Sequence, residues 1–297
     1  MANRVMVTGA SGLLGRAIMK EFKSSDAWNV IGLAFSRSGS GLKKVDISDK
    51  NAVIDAVNEF KPQIIIHSAA ERRVDVMERD PVTASKINLD GTENICEAAK
   101  SINAWVLFIS TDYVFDGTSP PYKVTDQPNP LNLYGKSKAE GEKITLAVNK
   151  DNAVLRVPVL YGCIETLNES AVTCLLAKVK DTSCKAGMDG KQIRFPTHCD
   201  DVAYVIKELS NRQVKDKNIE GIYHWSNDEK MTKYDMAVTM GTVLGLSTDH
   251  IEKDMSGMGG ASRPDNAQLD CSRVEQLGIV KRTKYSSAIG DVLKSFT

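Results

Sequence analysis

VMVTGASGLLG, residues 5–15, begins as a short apolar run and ends on three evenly spaced glycines, Gly9, Gly12 and Gly15. A strand that turns at once into a helix needs positive φ angles and bare backbone, which glycine supplies at the least steric cost. The helix N-terminus behind such a turn offers free N–H groups and the positive end of a dipole, so it can hold a phosphate. Here the glycines follow RVMVT and precede the amphipathic LLGRAIMKEFKSS (13–25). That strand–turn–helix context separates a dinucleotide-binding turn from a chance glycine triplet, the alternative being a tight βα turn with no ligand.

Outward from this turn, apolar β-rich runs alternate with helical patterns. NVIGLAF (29–35) reads as a second strand and LKKVDI (42–47) as a short third; 50–61 reads as a helix with Ala52, Val53, Ala56, Val57 and Phe60 on one face. PQIIIHSAA (62–70) and WVLFIST (105–111) read as strands buried on both faces, 81–101 and 133–149 as helices, and AVLRVPVLYG (153–162) as a further strand. Continuous apolar strands alternating with helices specify an α/β fold, a Rossmann-type doubly wound parallel sheet covered on both faces. After residue 162 the rhythm changes. SAVTCLLAKVK, CDDVAYVIKELSNR and TKYDMAVTMGTVLG read as helices, the last capped by Thr232, with GIYHWS as a strand and 256–266 as a loop. The expected organisation is a nucleotide-binding domain over 1–162 and a smaller C-terminal α/β substrate lobe over 163–297, interleaved as one unit and packed over the sheet edge where ligands bind in such folds.

Lys plus Arg and Asp plus Glu number 38 each, so charge makes no case for a nucleic-acid or membrane partner. No apolar run approaches the ~20 residues of a membrane helix, and the chain enters a strand at its start, so no signal peptide is expected. Six cysteines without a CxxC pair suit reduced thiols in the cytoplasm, and the four dispersed histidines form no metal cluster. GKS at 135–137 imitates a P-loop, but the glycine required five residues earlier is Pro130.

The middle of the chain carries chemistry. STDYVFDGTSPPY (110–122) begins at a strand end, and YGKSK (134–138) opens a helix with Tyr134 and Lys138 on one face. A phenol titrates near pH ~10, and an adjacent ammonium would lower that value. Thr111 can hydrogen-bond a substrate oxygen. Thr111, Tyr134 and Lys138 therefore make a candidate site for hydride transfer to or from a carbonyl; a YxxxK pair alone would be a solvated helix face, and it is the glycine turn and Ser110–Thr111 that change the reading. Strand two ends in AFSRSGSG (34–41), without the acidic residue that binds the ribose 2′-hydroxyl of NAD. Arg37 offers a planar cation for a 2′-phosphate, with Ser36 and Ser38 as hydroxyl donors, so NADP is expected over NAD. Asp46 and Ile47, in VDIS (45–48), would lie beside adenine; a helix N-cap region is the alternative for Asp46.

These residues resemble the extended short-chain dehydrogenase/reductases over nearly the whole chain. STDYVFDGT, PLNLYGKSKAEGE, LRVPVLYG, GIYHWS and RPDNAQLD are similar to the dTDP-4-dehydrorhamnose reductase branch. HSAAERRVDVMERDP, ESAVT, RFPTHCDDVA and NDEKMTKYDMA are similar to the regulatory β subunits of methionine adenosyltransferase, and His67 with Glu71–Arg72–Arg73 separates these from the reductases. The resemblance implies a non-catalytic, NADP-binding partner of the catalytic α subunit, which makes S-adenosylmethionine. It also keeps open an NADPH-dependent reductase of a 4-keto nucleotide sugar, in which Tyr134 donates a proton and Thr111 orients the carbonyl. Carried over by motif, Ser11, Gly12, Leu13 and Leu14 hold the pyrophosphate, Ser36 to Ser38 the 2′-phosphate, and Asp46 and Ile47 adenine. Ser68 and Arg72 line the cleft, Tyr134 and Lys138 hold the nicotinamide ribose, Leu160 lies against nicotinamide, and Asn88 is structural. One departure is the C-terminus: such subunits often continue into a basic, aromatic tail implicated in contacting the α subunit, and this sequence ends SAIGDVLKSFT (287–297).

Other residues read as structural. His67 is expected to be a hydrogen-bonded histidine, Trp28, Trp105 and Trp225 core residues, and 255–260 a lid or crossover loop. His198 is a residue that could face the substrate side.

Overall fold

The computed structural model describes residues 2–37, 39, 41–256 and 260–297. Its first half runs β1 (Asn3–Thr8), α1 (Leu13–Lys23), β2 (Trp28–Ala34), β3 (Leu42–Lys44), α2 (Lys50–Phe60), β4 (Ile64–His67), α3 (Val74–Arg79), α4 (Pro81–Ser85), α5 (Gly91–Ser101), β5 (Trp105–Thr111), α6 (Leu133–Val148) and β6 (Ala153–Val157). The remainder runs β7 (Leu160–Tyr161), α7 (Leu175–Lys180), β8 (Ala186–Asp189), β9 (Thr197–His198), α8 (Cys199–Asp216), β10 (Gly221–His224), α9 (Lys233–Leu244), β11 (Ile251–Asp254), α10 (Ser272–Glu275) and α11 (Tyr285–Leu293). The main sheet has seven strands in the order β3-β2-β1-β4-β5-β6-β10. Every neighbouring pair is parallel.

Its central strands are mostly apolar because successive side chains serve opposite faces, both of them covered. Val5, Val7, Ile64, Ile66, Leu107 and Ile109 enter one core, which α1 and α8 cover with Ile18, Phe22, Val202 and Ile206. Met6, Ile65 and Val106, the residues between them, enter the opposite core with Val53 and Val57 of α2 and Ile95 of α5. A third core, around Tyr161, Leu176, Met236, Met240 and Tyr285, sits beneath α7, α9 and α11. Trp28, Trp105 and Trp225 are buried, as expected.

Two stretches differ from the sequence reading. The strand expected over 153–162 stops at Val157: Pro158 has no N–H to continue the ladder. The chain resumes as β7, which pairs with β9 in a separate two-stranded sheet. The helix expected from residue 170 starts at Leu175, because Ser170 turns its hydroxyl onto the Leu160 carbonyl (2.6 Å) and the backbone N–H of Val172 onto its own oxygen (3.0 Å). The chain beyond residue 162 also re-enters the first sheet. β10 pairs with β6, and α8 lies on α1, where Lys207 bonds Glu21 (3.0 Å) and Lys20 bonds Asp200 (2.9 Å).

A buried polar knot holds that returning strand. Arg156 of β6 donates to both carboxylate oxygens of Glu142 of α6 (2.8 and 2.6 Å), and its remaining terminal nitrogen lies 3.2 Å from His224 Nε2 on β10. Ser110 of β5 donates to the same carboxylate (2.5 Å). Arg156 and Glu142 are 1% and 4% exposed, so a lost partner would strand a charge in the core. Arg156→Met is expected to lower the unfolding free energy by about 3–5 kcal/mol, and adding Glu142→Gln to return part of it. Denaturant unfolding of both variants is the check; a loss under about 1 kcal/mol for Arg156→Met would show the knot to be dispensable.

Candidate functional site

The strand order reverses between β1 and β4, and ligands of such sheets sit at that switch point beyond the strand C-termini. A cleft of about 690 Å³ opens there. Six strand ends supply it: β1 through Gly9, β2 through Ser36, β3 through Val45, β4 through Ser68, β5 through Thr111 and β6 through Pro158.

The β1–α1 turn is built by contact. Gly9 holds φ at +66°, and a Cβ there would lie 2.8 Å from the Ala69 Cα. A Cβ on Gly15 would lie 2.1 Å from the Gly9 carbonyl oxygen, so α1 sits closer to the turn than any other residue allows. Gly12 is the N-cap of α1 and carries no side-chain cap, whereas Asp49 caps α2 and Thr232 caps α9. Ser11, Leu13 and Leu14 line the cleft beside it, leaving first-turn N–H groups for an anion.

At the end of the cleft bordered by β2 and β3, Ser36, Arg37, Asp46 and Ile47 line it; Ser38 lies outside the described residues. The Asp46 carboxylate accepts from the Ser48 backbone N–H (2.9 Å) and hydroxyl (2.7 Å), and the cap of α2 is Asp49. Arg37 is not simply solvated: it pairs with Glu165 (3.1 Å) and Glu169. Ser68 lines the middle and donates to the Thr8 carbonyl (2.8 Å), and Arg72 donates to the Glu169 carbonyl. Asn88 is the structural residue expected of it, bonded to both backbone groups of Glu71 (2.8 and 3.0 Å) and to Ser137 (3.0 Å).

At the far end, Thr111, Tyr134, Lys138 and Leu160 converge. The Thr111 hydroxyl donates to Asp112 (3.1 Å) and accepts from the Tyr113 backbone N–H (3.2 Å). The expectation that Lys138 lowers the Tyr134 phenol is corrected: burial pushes it up to about 12, with Thr111 opposing. Lys138 instead lies over the Phe108 ring, 3.9 Å from its centroid. Glu142, one helical turn on, has its carboxylate committed to Arg156 and Ser110, and burial brings Lys138 down to about 7. His67 is structural, bonded to Thr8 (2.7 Å) and Thr92 (3.0 Å), and burial and then Lys138 drive it down to about 3, so it is neutral. His198 does not border the cleft; it caps α8 through Asp200 N–H (3.2 Å).

Several cleft residues escaped the sequence reading. Asp112, beside Thr111, accepts its hydroxyl (3.1 Å), and burial raises its carboxyl to about 6 against the pull of Arg194. Arg194, Lys233 and Arg263 reach the cleft from the second half of the chain. Arg16 and Glu169 meet at 2.6 Å although they are far apart in sequence. Asp112 stood within a quoted motif; no local spacing announces the others.

The model of the RmlD substrate binding domain matches residues 3–297. The protein named methionine adenosyltransferase 2 subunit beta in Bos taurus is 48% identical over 294 residues, which cover 99% of this chain and 88% of that protein. The dTDP-4-dehydrorhamnose reductase of Aggregatibacter actinomycetemcomitans is 32% identical, covering 97% of this chain and 98% of its own. Among solved structures, the dTDP-4-dehydrorhamnose reductase of Bacillus anthracis in complex with NADP superposes with a TM-score of 0.85 at 25% identity, covering 99% of each chain.

The Lys138 environment carries a pH signature. A lysine at about 7 in the fold and ~10.4 when unfolded binds its proton more readily in the unfolded chain between those values. Its contribution to stability therefore rises as pH climbs from 7 toward 10 and is lost as pH falls back through that window. Lys138→Met should remove that slope, and the unfolding free energies of the two proteins should differ in pH dependence by a few kcal/mol, on the order of the shift. Parallel curves over pH 7–10 would overturn it.

Proposed function

The chain belongs to the RmlD substrate binding domain family, and from that premise we propose that it is an NADP-binding, non-catalytic regulatory subunit of a methionine adenosyltransferase. It would assemble with the catalytic α subunit into a hetero-oligomer and modulate synthesis of S-adenosylmethionine in the cytoplasm. The observation that carries this reading is the kinship with proteins named β subunit along 99% of the chain, well above that with the named reductase.

The residues fit the dinucleotide. Gly9 and Gly15 let β1, α1 and the end of β4 meet backbone to backbone, α1 presents an uncapped first turn, and β2 is followed by Arg37 where an NAD-selective site carries a carboxylate. Ser11 to Leu14 would hold the pyrophosphate, Ser36, Arg37 and Ser38 the 2′-phosphate, Asp46 and Ile47 the adenine. Tyr134 and Lys138 would hold the nicotinamide ribose, with Leu160 against the ring and Ser68 and Arg72 along the cleft. Bound NADP(H) supplies a nicotinamide able to give or take a hydride. In the regulatory reading this chain's groups serve retention: Lys138, nearly neutral over Phe108, gains its proton beside polar hydroxyls, and Tyr134 donates to a ribose oxygen.

A second reading rests on Thr111, Tyr134 and Lys138 lining the same cleft: NADPH-dependent reduction of a 4-keto nucleotide sugar. Tyr134 would hand its proton to the carbonyl oxygen while Thr111 and the Asp112 carboxyl orient it. Mixing the protein with a catalytic methionine adenosyltransferase subunit should give one co-eluting species at micromolar concentration and a changed KM for methionine. Absence of both would remove the regulatory reading. Loss of NADPH absorbance with dTDP-4-dehydrorhamnose would establish the reductase in its place. Arg37→Ala should weaken NADPH binding about tenfold or more and leave NADH within about twofold, read by calorimetry; equal losses would remove Arg37 from phosphate recognition.

A further inference from the structure

The segment from Cys163 to Ser170 follows β7 and borders the cleft through Asn168, Glu169 and Ser170. Its last residue, Ser170, holds the Leu160 carbonyl (2.6 Å). Next to it, the Glu169 carboxylate, 8% exposed, takes Arg16 (2.6 Å) on one side and Arg37 on the other. Glu165 approaches the same two guanidiniums, at 3.1 Å from Arg37 and 3.6 Å from Arg16, and its backbone N–H donates to Glu169 (2.9 Å). Arg16 is further committed to the carbonyls of Ser11 (2.7 Å) and Cys163 (3.1 Å). Although burial works against it, the hydrogen bonds from Arg16 and Arg37 hold the Glu169 carboxyl down at about 2, so it is charged at any physiological pH.

Two carboxylates therefore face two guanidiniums, and both reach the same terminal nitrogen of Arg37. An arriving phosphate dianion meets a local charge balance near zero. It must displace a carboxylate from Arg37 or accept repulsion from both, whereas a 2′-hydroxyl brings no charge and is nearly indifferent to them. We propose that Glu169, assisted by Glu165, is the specificity-determining residue of this cleft: it competes with the ribose 2′-phosphate for Arg37 and so sets how far the phosphorylated dinucleotide is preferred over the unphosphorylated one. The proposal rests on the reading of the cleft as a nucleotide site. Glu169 acts through Arg37 and is a positioning residue. Arg72, bonded to the Glu169 carbonyl, keeps the turn in place when the carboxylate lets go.

The test is the ratio of NADP+ to NAD+ affinity, measured by calorimetry for the full chain and for Glu169→Gln and Glu165→Gln. Removing a competing charge should tighten NADP+ about threefold to tenfold in Glu169→Gln and less in Glu165→Gln, with NAD+ unchanged within about twofold. A purely structural role would move both nucleotides together. Should Glu169→Gln weaken both, Glu165→Gln decides, since Glu165 is 58% exposed and its loss leaves the fold intact: a raised ratio supports the proposal and an unmoved one overturns it. A ratio that falls in either variant also overturns it, showing that the carboxylates hold Arg37 in place for the phosphate. A wild-type chain that binds neither nucleotide defeats the nucleotide reading itself, a result distinct from wild-type binding with an unmoved ratio.

Discussion

Backbone touching backbone at the β1–α1 turn is the constraint on which the rest of this structure depends. The Gly9 carbonyl oxygen lies where a side chain on Gly15 would begin, and the Gly9 Cα faces the backbone of Ala69 at the end of β4. Three chain segments thus meet with no side chain between them. α1 is set directly behind the turn, its first N–H groups pointing into the space between β1 and β4, where the order of the sheet reverses. The cleft exists because these segments come together at that point. A larger residue at either glycine would push α1 outward, and with it α8, which rests on it.

Around that turn the site is electrically compensated rather than open. Arg16, Arg37 and Arg72 all reach the segment that ends at Glu169, two through the carboxylate and one through the carbonyl. Lys138 is compensated less: Glu142, one helical turn on, is bonded to Arg156 and only partly offsets burial, and the amine rests on an aromatic face. One end of the cleft therefore pairs its guanidiniums with carboxylates, while the other holds an amine close to neutrality. The same carboxylate, Glu142, secures β10 to the sheet and leaves Lys138 available, so the packing of the returning strand and the chemistry of the cleft share a residue.

Much of this was legible in order of sequence, because periodicity and turn chemistry act locally. The alternating strands and helices, the glycine turn, the capping of α9 by Thr232 and the shared face of Tyr134 and Lys138 follow from spacing alone. The breaks came where a distant partner outweighed a local preference. Pro158 ended a strand that apolar content would have carried to Gly162, and β7 found its partner in β9, far along the chain. The phenol of Tyr134 was expected to fall toward neutrality beside an ammonium, and it rises instead because burial dominates and the ammonium is turned toward Phe108.

By itself, then, the sequence determined the doubly wound parallel sheet, the glycine turn between β1 and α1 and which side chains would gather at the strand ends, since each depends on neighbours within a few residues. Only the tertiary structure decided that β10 and α8 return to the first sheet, that Arg194, Lys233 and Arg263 reach the cleft, and that Glu169 occupies Arg37. Those contacts join residues up to more than a hundred positions apart, and their energies come from burial and Coulomb attraction across the fold, quantities that no local spacing encodes.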